Sequence, residues 1–190
     1  MGIEPLIHYL GQRREQISDF QSLLLVGLCG SLSPEYAIGD IVLYQECIYA
    51  PPSSPPQLRG CDRSLTAILH RNLQEKASLV RGLTSDRPIW SAQEKRHLGQ
   101  RYGAGAVDME GFAALDFLEG AGVAVAMLRV ISDDCCHNLP DLNPAFRPDG
   151  SLAPFPLTLG LLRHPLAAAR LVRGSLRGLE VLQQVTADLF

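Results

Sequence analysis

Residues 104–131 constrain the fold more than any other stretch of the chain. Residues 104–109 (AGAVDM) are short and largely apolar, and residues 110–119 (EGFAALDFLE) follow helical spacing. Residues 123–131 (VAVAMLRVI) return to a buried, β-branched run. Gly120 and Gly122 stand where the helix must stop. Strand, helix, strand in this order predicts a right-handed parallel crossover in an α/β sheet. The rest of the chain supplies further strands. Residues 22–28 (SLLLVGL) form an apolar run closing in Gly-Leu-Cys-Gly-Ser, whose length and glycines favour a buried strand over a helix. Residues 41–49 follow the turn-like Ile38-Gly39-Asp40 and are rich in β-branched and aromatic side chains. Residues 79–84 predict another short strand. The four prolines of residues 50–60 (APPSSPPQLRG) predict a loop.

Helices fill the gaps. Asp62 is placed to cap a helix whose Leu65, Ile68, Leu69 and Leu73 share one apolar face. Residues 92–102 read as a polar surface helix. From Leu157 onward the pattern is helical, with Pro165 starting or breaking a helix. No internal repeat or linker divides the 190 residues, so a single domain over 1–190 is expected.

Composition narrows the function classes. Hydrophobic residues at 46% and charged residues at 19% supply a sizeable core and exclude a disordered chain. A net charge of −3 argues against a general nucleic-acid binder. No apolar run approaches the roughly 20 residues of a membrane span, and Glu4, Arg13, Arg14 and Glu15 interrupt any secretory apolar region. The five cysteines are odd in number and lack framework spacing, which reads as reduced thiols in a cytoplasmic protein.

Ligands of open α/β sheets sit beyond the carboxyl ends of strands. Three such ends carry polar or small residues: Gly27-Leu28-Cys29-Gly30-Ser31, Asp108-Met109-Glu110-Gly111 and Ser132-Asp133-Asp134. A carboxyl abutting a buried strand is raised in pKa by desolvation, as a general acid near neutral pH requires. A second carboxylate, kept ionised, can hold two sugar hydroxyls and favour positive charge beside it. The plainer alternative is that Glu110 and Asp133 cap the segments that follow them. Asp133 and Glu110 are expected to face one pocket, at the ends of adjacent strands.

Val107-Asp108-Met109-Glu110-Gly111, followed by Arg129-Val130-Ile131-Ser132-Asp133-Asp134, resembles the purine and uridine phosphorylase superfamily. That superfamily includes the methylthioadenosine and S-adenosylhomocysteine nucleosidases. Residues 24–43, with the Gly-x-x-Gly turn and Ile38-Gly39-Asp40-Ile41-Val42, are similar to its glycine turn and following strand. Gly82-Leu83-Thr84-Ser85-Asp86 is similar to the segment before its base-binding loop. Arg147-Pro148-Asp149-Gly150-Ser151 and Leu162-Arg163-His164-Pro165, with the arginine-dotted tail, resemble the hopanoid-associated phosphorylase branch, which removes adenine from adenosylhopane.

The resemblance implies a three-layer α/β domain with a mixed central sheet flanked by helices. It implies cleavage of a purine N-ribosidic bond, by hydrolysis or phosphorolysis, through a ribosyl oxocarbenium ion. Asp133 would protonate purine N7, and Ser132 would support that carboxyl or contact the base. Glu110 would hold the ribose hydroxyls, with Asp108 and Met109 beside it and Met109 packed on the sugar. Arg129 would orient an acidic partner or the attacking water. Pro88 and Ile89 would line the base edge, Trp90 would stack on it, and Cys29 and Gly30 would contribute from the glycine turn. No metal or organic cofactor is implied, phosphate being at most a co-substrate. The expected partners are a purine nucleoside and a second copy of the chain, in a homodimer or larger assembly.

Two departures from the family pattern bear on activity. The chain opens at a helix start, Met1-Gly2-Ile3-Glu4-Pro5, where the family has a strand whose loop brings a water-activating acid or phosphate contacts. On this reading the domain is truncated at its amino end, and the open sheet edge favours pairing with another copy. Leu28 also replaces the Ser or Thr that would bond phosphate or water, with Ser31 the nearest hydroxyl able to compensate. The competing functional class is therefore a non-catalytic nucleoside-binding or oligomer-interface relative. Three further signals have their own readings. Gly27-Leu28-Cys29-Gly30-Ser31 is like a nucleophile elbow, with His137 as base, or else Cys29 is a small buried residue. Cys135-Cys136-His137 lacks zinc-site spacing. Arg163, Arg170, Arg173 and Arg177, interleaved with Leu161, Leu162, Leu166, Leu171 and Val172, form a solvated helix face or rest on an anionic membrane surface.

Overall fold

The computed structural model describes residues 2–51, 54–74, 76–145 and 153–189. Arg147-Pro148-Asp149-Gly150-Ser151 therefore lies outside the described residues. Two short helices, α1 (Ile3–Gly11) and α2 (Arg14–Ser18), precede the strands β1 (Ser22–Ser31), β2 (Ile41–Tyr49) and β3 (Gln57–Gly60). Then come α3 (Arg63–Asn72), β4 (Ala77–Thr84), α4 (Ala92–Tyr102), β5 (Ala106–Asp108), α5 (Gly111–Gly120) and β6 (Ala124–Asp133). A 3-10 turn (Asn143–Ala145), α6 (Pro154–Arg163) and α7 (Pro165–Leu189) complete the chain. The expected α/β domain, a mixed central sheet flanked by helices, is the observed fold.

The strands lie in the order β3-β2-β4-β5-β1-β6, and β2 also pairs with β6, so five of them close on themselves. β2, β4 and β5 are mutually parallel, while β1 and β6 are parallel to each other and run the opposite way. This corrects two expectations. β5 and β6 do not form a parallel crossover: β1 lies between them, and β5 is antiparallel to both. The turn from β5 into α5 is tight, with the Asp108 carboxylate accepting from the Gly111 N–H at 3.0 Å. Nor do the central five strands present an open edge. Among the described residues the edge strand is the short β3, paired to β2.

Alternation along the strands divides the core. Val42 and Tyr44 of β2 and Val125, Met127 and Ile131 of β6 face the side packed by Phe112, Leu115 and Leu118 of α5. Leu43, Leu128 and Val130 face the opposite side, under Val181 and Val185 of α7. β6 is buried over nearly its whole length, but β1 is only half-buried before Cys29, with Val26 43% exposed. β1 also runs on through its glycines to Ser31, with a register shift between Cys29 and Gly30. The glycine turn of the sequence reading is thus the last, bulged stretch of a strand. β3 lies in what the prolines predict as loop, held by backbone pairing to residues 46–49. In α3, Asp62 caps as expected, accepting from the Leu65 N–H at 2.8 Å, but Ile68 is exposed and Thr66 takes the buried position. Pro165 begins α7, its fixed φ suiting a first helical position. Among the described residues no helix is long and apolar enough to cross a membrane.

Candidate active site

A cavity of about 310 Å³ opens where β1 and β6 end, a size at the low end for small-molecule sites. β1 contributes Leu28, Cys29 and Gly30, and the β5–α5 turn contributes Asp108, Met109 and Glu110. Ser132 and Asp133 come from the end of β6, and Pro88, Ile89 and Trp90 from the β4–α4 loop. Leu139, Pro140 and Leu142 close one wall, and Leu171 and Ser175 of α7 another. Every residue expected at the site lines this cavity except Arg129. Glu110 and Asp133 share it although their strands are separated by β1.

Asp133 is held from both of its oxygens. Oδ1 forms a salt bridge with Lys95 Nζ, and Oδ2 lies 3.0 Å from Ser132 Oγ. Ser132 Oγ also lies 3.2 Å from the Cys29 carbonyl, so one hydroxyl proton serves two acceptors. The carboxylate sits so close to β1 that a Cβ at Gly30 would lie 2.7 Å from Oδ1, which explains glycine at that point of the strand. Packing from behind depends on a second glycine, Gly174, which brings α7 directly onto the Ser132 carbonyl.

Glu110 precedes α5 at its N-cap position and accepts from the backbone N–H of Gly2 at 2.8 Å. The turn beneath it is fixed by Asp108, whose Oδ1 accepts from Thr84 Oγ1 and Gly111 N–H, both at 3.0 Å. Thr84 Oγ1 in turn accepts from the Phe112 N–H at 2.8 Å. Arg129 lies below the cavity rather than on its wall, with Nε 3.3 Å from Asp108 Oδ2 and Nη1 3.2 Å from the Leu25 carbonyl. Burial works against its charge, but Asp108 together with Tyr44, Cys29 and Cys47 more than offsets burial and leaves the guanidinium held more firmly than usual. Its guanidinium is thus bonded to an acidic neighbour, Asp108, and does not reach the cavity wall.

The thiol reading of the glycine turn does not survive. Burial pushes the Cys29 thiol far above the ordinary range, opposite to what a nucleophile needs. His137, its expected base, is exposed and bonds Asp134 at 2.9 Å through Nδ1. Although burial raises Asp134, that bond and the N–H groups of Cys136 and His137 carry its carboxyl below the usual range. Ser31 does not compensate for Leu28: its hydroxyl is buried and spent on the Ser33 backbone, at 2.6 Å from the carbonyl. All five cysteines are free, with Cys135 buried and its neighbour Cys136 exposed.

Sequence reasoning missed Lys95, the Gly2 N–H, the Leu139–Leu142 wall and the α7 side chains. Lys95 had a readable signal. Ala92, Lys95 and Gly99 are the buried residues of α4, so a lysine sits in a stripe of small residues at helical spacing.

A family model described as "Phosphorylase superfamily" matches residues 14–149. Among solved structures, a futalosine hydrolase mutant of Helicobacter pylori strain 26695 is similar over 68% of this chain and 67% of its own, at 22% identity and a TM-score of 0.59. The 5′-methylthioadenosine/S-adenosylhomocysteine nucleosidase of H. pylori is similar over 99% of this chain and 77% of its own, at 17% identity and a TM-score of 0.64. The corresponding nucleosidase of Campylobacter jejuni covers 90% and 76%, at 19% identity and a TM-score of 0.63. At these identities the likeness is one of fold. No curated protein matches the sequence significantly.

Proposed function

The chain belongs to the phosphorylase superfamily, and we propose that it cleaves the N-ribosidic bond of an adenosine-type purine nucleoside in the cavity shared by Asp133 and Glu110. The observation carrying this reading is the convergence of two carboxylates from separate elements on one largely apolar pocket, which Trp90 and Ile89 also line. Asp133 protonates N7 of the base, so that the base leaves as a neutral species. Glu110 holds the ribose hydroxyls and meets the positive charge that develops on the sugar. Met109 packs on the sugar face. Asp108, fixed by Arg129 and Thr84, holds the turn that aims Glu110. Gly2 now occupies one Glu110 oxygen, so ribose binding displaces that contact or uses the other oxygen.

Water is the nucleophile that the cavity favours. Its two lining cations are already matched, Lys95 with Asp133 and Arg87 with Glu94, so a phosphate would have to break an ion pair to gain one. The test is paired substitution. Asp133→Asn keeps size but carries no acidic proton, and should lower adenine release roughly a hundredfold with nucleoside affinity changed only a few-fold. Glu110→Gln should weaken both binding and turnover. Equal small losses in both variants, or activity that rises with added phosphate, would count against these assignments.

The exposed side of the tail supports a lipid-linked adenosine as the substrate. Leu162, Leu166, Val172, Leu176 and Leu179 are all more than half exposed, beside the exposed Arg163, Arg170, Arg173 and Arg177. α7, which carries most of them, also sends Leu171 and Ser175 into the cavity wall. Exposed leucines and a valine interspersed with exposed arginines suit an anionic membrane surface. Co-sedimentation with anionic but not zwitterionic vesicles, lost in Leu166→Glu, is the expected result. Equal sedimentation with both vesicle types would remove this part of the reading.

A further inference from the structure

The most unusual charge in the molecule is Lys95. It is only 1% exposed, it sits on α4 between Ala92 and Gly99, and its Nζ bonds both the Asp133 carboxylate and, at 2.9 Å, the Asp134 carbonyl. A buried ammonium is costly unless it is paired and hydrogen-bonded, and both conditions are met here. Nothing in the packing of α4 requires a cation, since a methionine has nearly the same stem. The bond instead reaches the one carboxyl to which the proposed reaction assigns a proton transfer.

Resting on the reading of Asp133 as the group that protonates the base, we propose that Lys95 is a positioning residue that supplies the transferred proton. An ammonium donating to a carboxylate already places a proton on the path to the substrate. As the N-ribosidic bond breaks, its electron pair goes to the base. Asp133 takes a proton from the Lys95 N–H and delivers it to N7. Lys95 ends as a neutral amine, Asp133 ends as the carboxylate it began as, and the base leaves neutral. Water then bonds to C1 of the ribosyl cation, and the proton it loses returns through solvent to restore the ammonium. Ser132 Oγ on the other Asp133 oxygen keeps the carboxyl aligned throughout.

The experiment compares two substrates in the full chain: adenosine, whose base needs protonation, and 4-nitrophenyl riboside, whose phenolate leaves without it. Lys95→Arg retains the charge, but an arginine does not give up its proton in a protein. Lys95→Met and Lys95→Arg should each lower adenosine cleavage roughly a hundredfold while changing nitrophenyl riboside cleavage by no more than a few-fold. If Lys95→Met fails to fold, Lys95→Ala should regain adenosine cleavage with added methylammonium. Full adenosine cleavage by Lys95→Arg, equal loss of both substrates in a folded variant, or no gain from methylammonium would overturn the proposal. Asp133→Asn, measured alongside, separates the two layers. If it spares the nitrophenyl substrate selectively while Lys95→Arg stays fully active, only the lysine proposal fails. If it changes both substrates alike, the underlying assignment of Asp133 fails as well.

Discussion

Replacing Arg129 by methionine tests the link between the buried core and the site. Arg129 and Asp108 are almost fully enclosed, with side-chain exposures of 9% and 3%, and lie within 3.3 Å of each other. The guanidinium also donates to the Leu25 and Leu128 carbonyls at 3.2 and 3.4 Å. Arg129→Met preserves most of the apolar stem but strands the Asp108 carboxylate in the interior. Removing one partner of a buried pair costs about 3–5 kcal/mol, against a total stability of roughly 5–15 kcal/mol. With a urea m-value of about 2 kcal/mol/M, a loss of about 4 kcal/mol moves the midpoint down by about 2 M. The double variant Arg129→Met/Asp108→Asn removes the stranded charge and should recover about 2 kcal/mol or more of that loss. Urea unfolding followed by circular dichroism, with all three variants, reads these values directly. A single-variant loss below about 1 kcal/mol, or a double variant equal to the sum of the singles, would refute the reasoning.

Gly30→Ala should put a methyl group 2.7 Å from Asp133 Oδ1 and force that carboxylate aside, lowering adenine release about a hundredfold in a chromatographic assay. Wild-type activity would mean that the carboxylate need not lie against β1. In the folded protein only Cys136 should react rapidly with a thiol reagent, the other four cysteines reacting after denaturation; mass spectrometry of the labelled peptides counts them. Asp134, whose carboxyl lies below its ordinary value of 3.8, contributes stability that is present above that value and lost as the pH falls through its lower native value. Asp134→Asn should therefore flatten acid unfolding below about pH 4, by no more than about 1 kcal/mol for so exposed a pair, and leave thermal melting at pH 9 shifted by a constant amount. An unchanged acid limb would show that the bonds to Cys136 and His137 are not held in solution.

The chain states some of this architecture openly. The bounds of α4 can be read from sequence because Ser91 caps its start, accepting from the Glu94 N–H, and Gly103 ends it in the left-handed conformation at φ 60°. Asp108 to Glu110 and Ser132 to Asp133, which line the cavity, stand out in the sequence because they end or directly follow buried strands. What could not be read depends on pairing between distant segments. Whether β5 joins β6 directly or across β1 is decided by backbone registers such as Gly30 with Val107, which leave no local pattern. β3 is mostly exposed and held by backbone bonds, so its side chains carry no alternation. Lys95 is marked only by Ala92 and Gly99 on its face of an otherwise polar helix, a faint signal beside ten neighbours.

The cavity is proposed to break the bond between ribose and a purine base. The direct measurement is a product chromatogram of adenosine incubated with the purified protein in phosphate-free buffer, alongside Glu110→Gln. Free adenine and free ribose are expected in equal amounts from the wild type, and neither above background from the variant. Calorimetric binding of adenosine with no base released, with or without phosphate, would contradict it and leave the chain as a nucleoside-binding relative without catalysis.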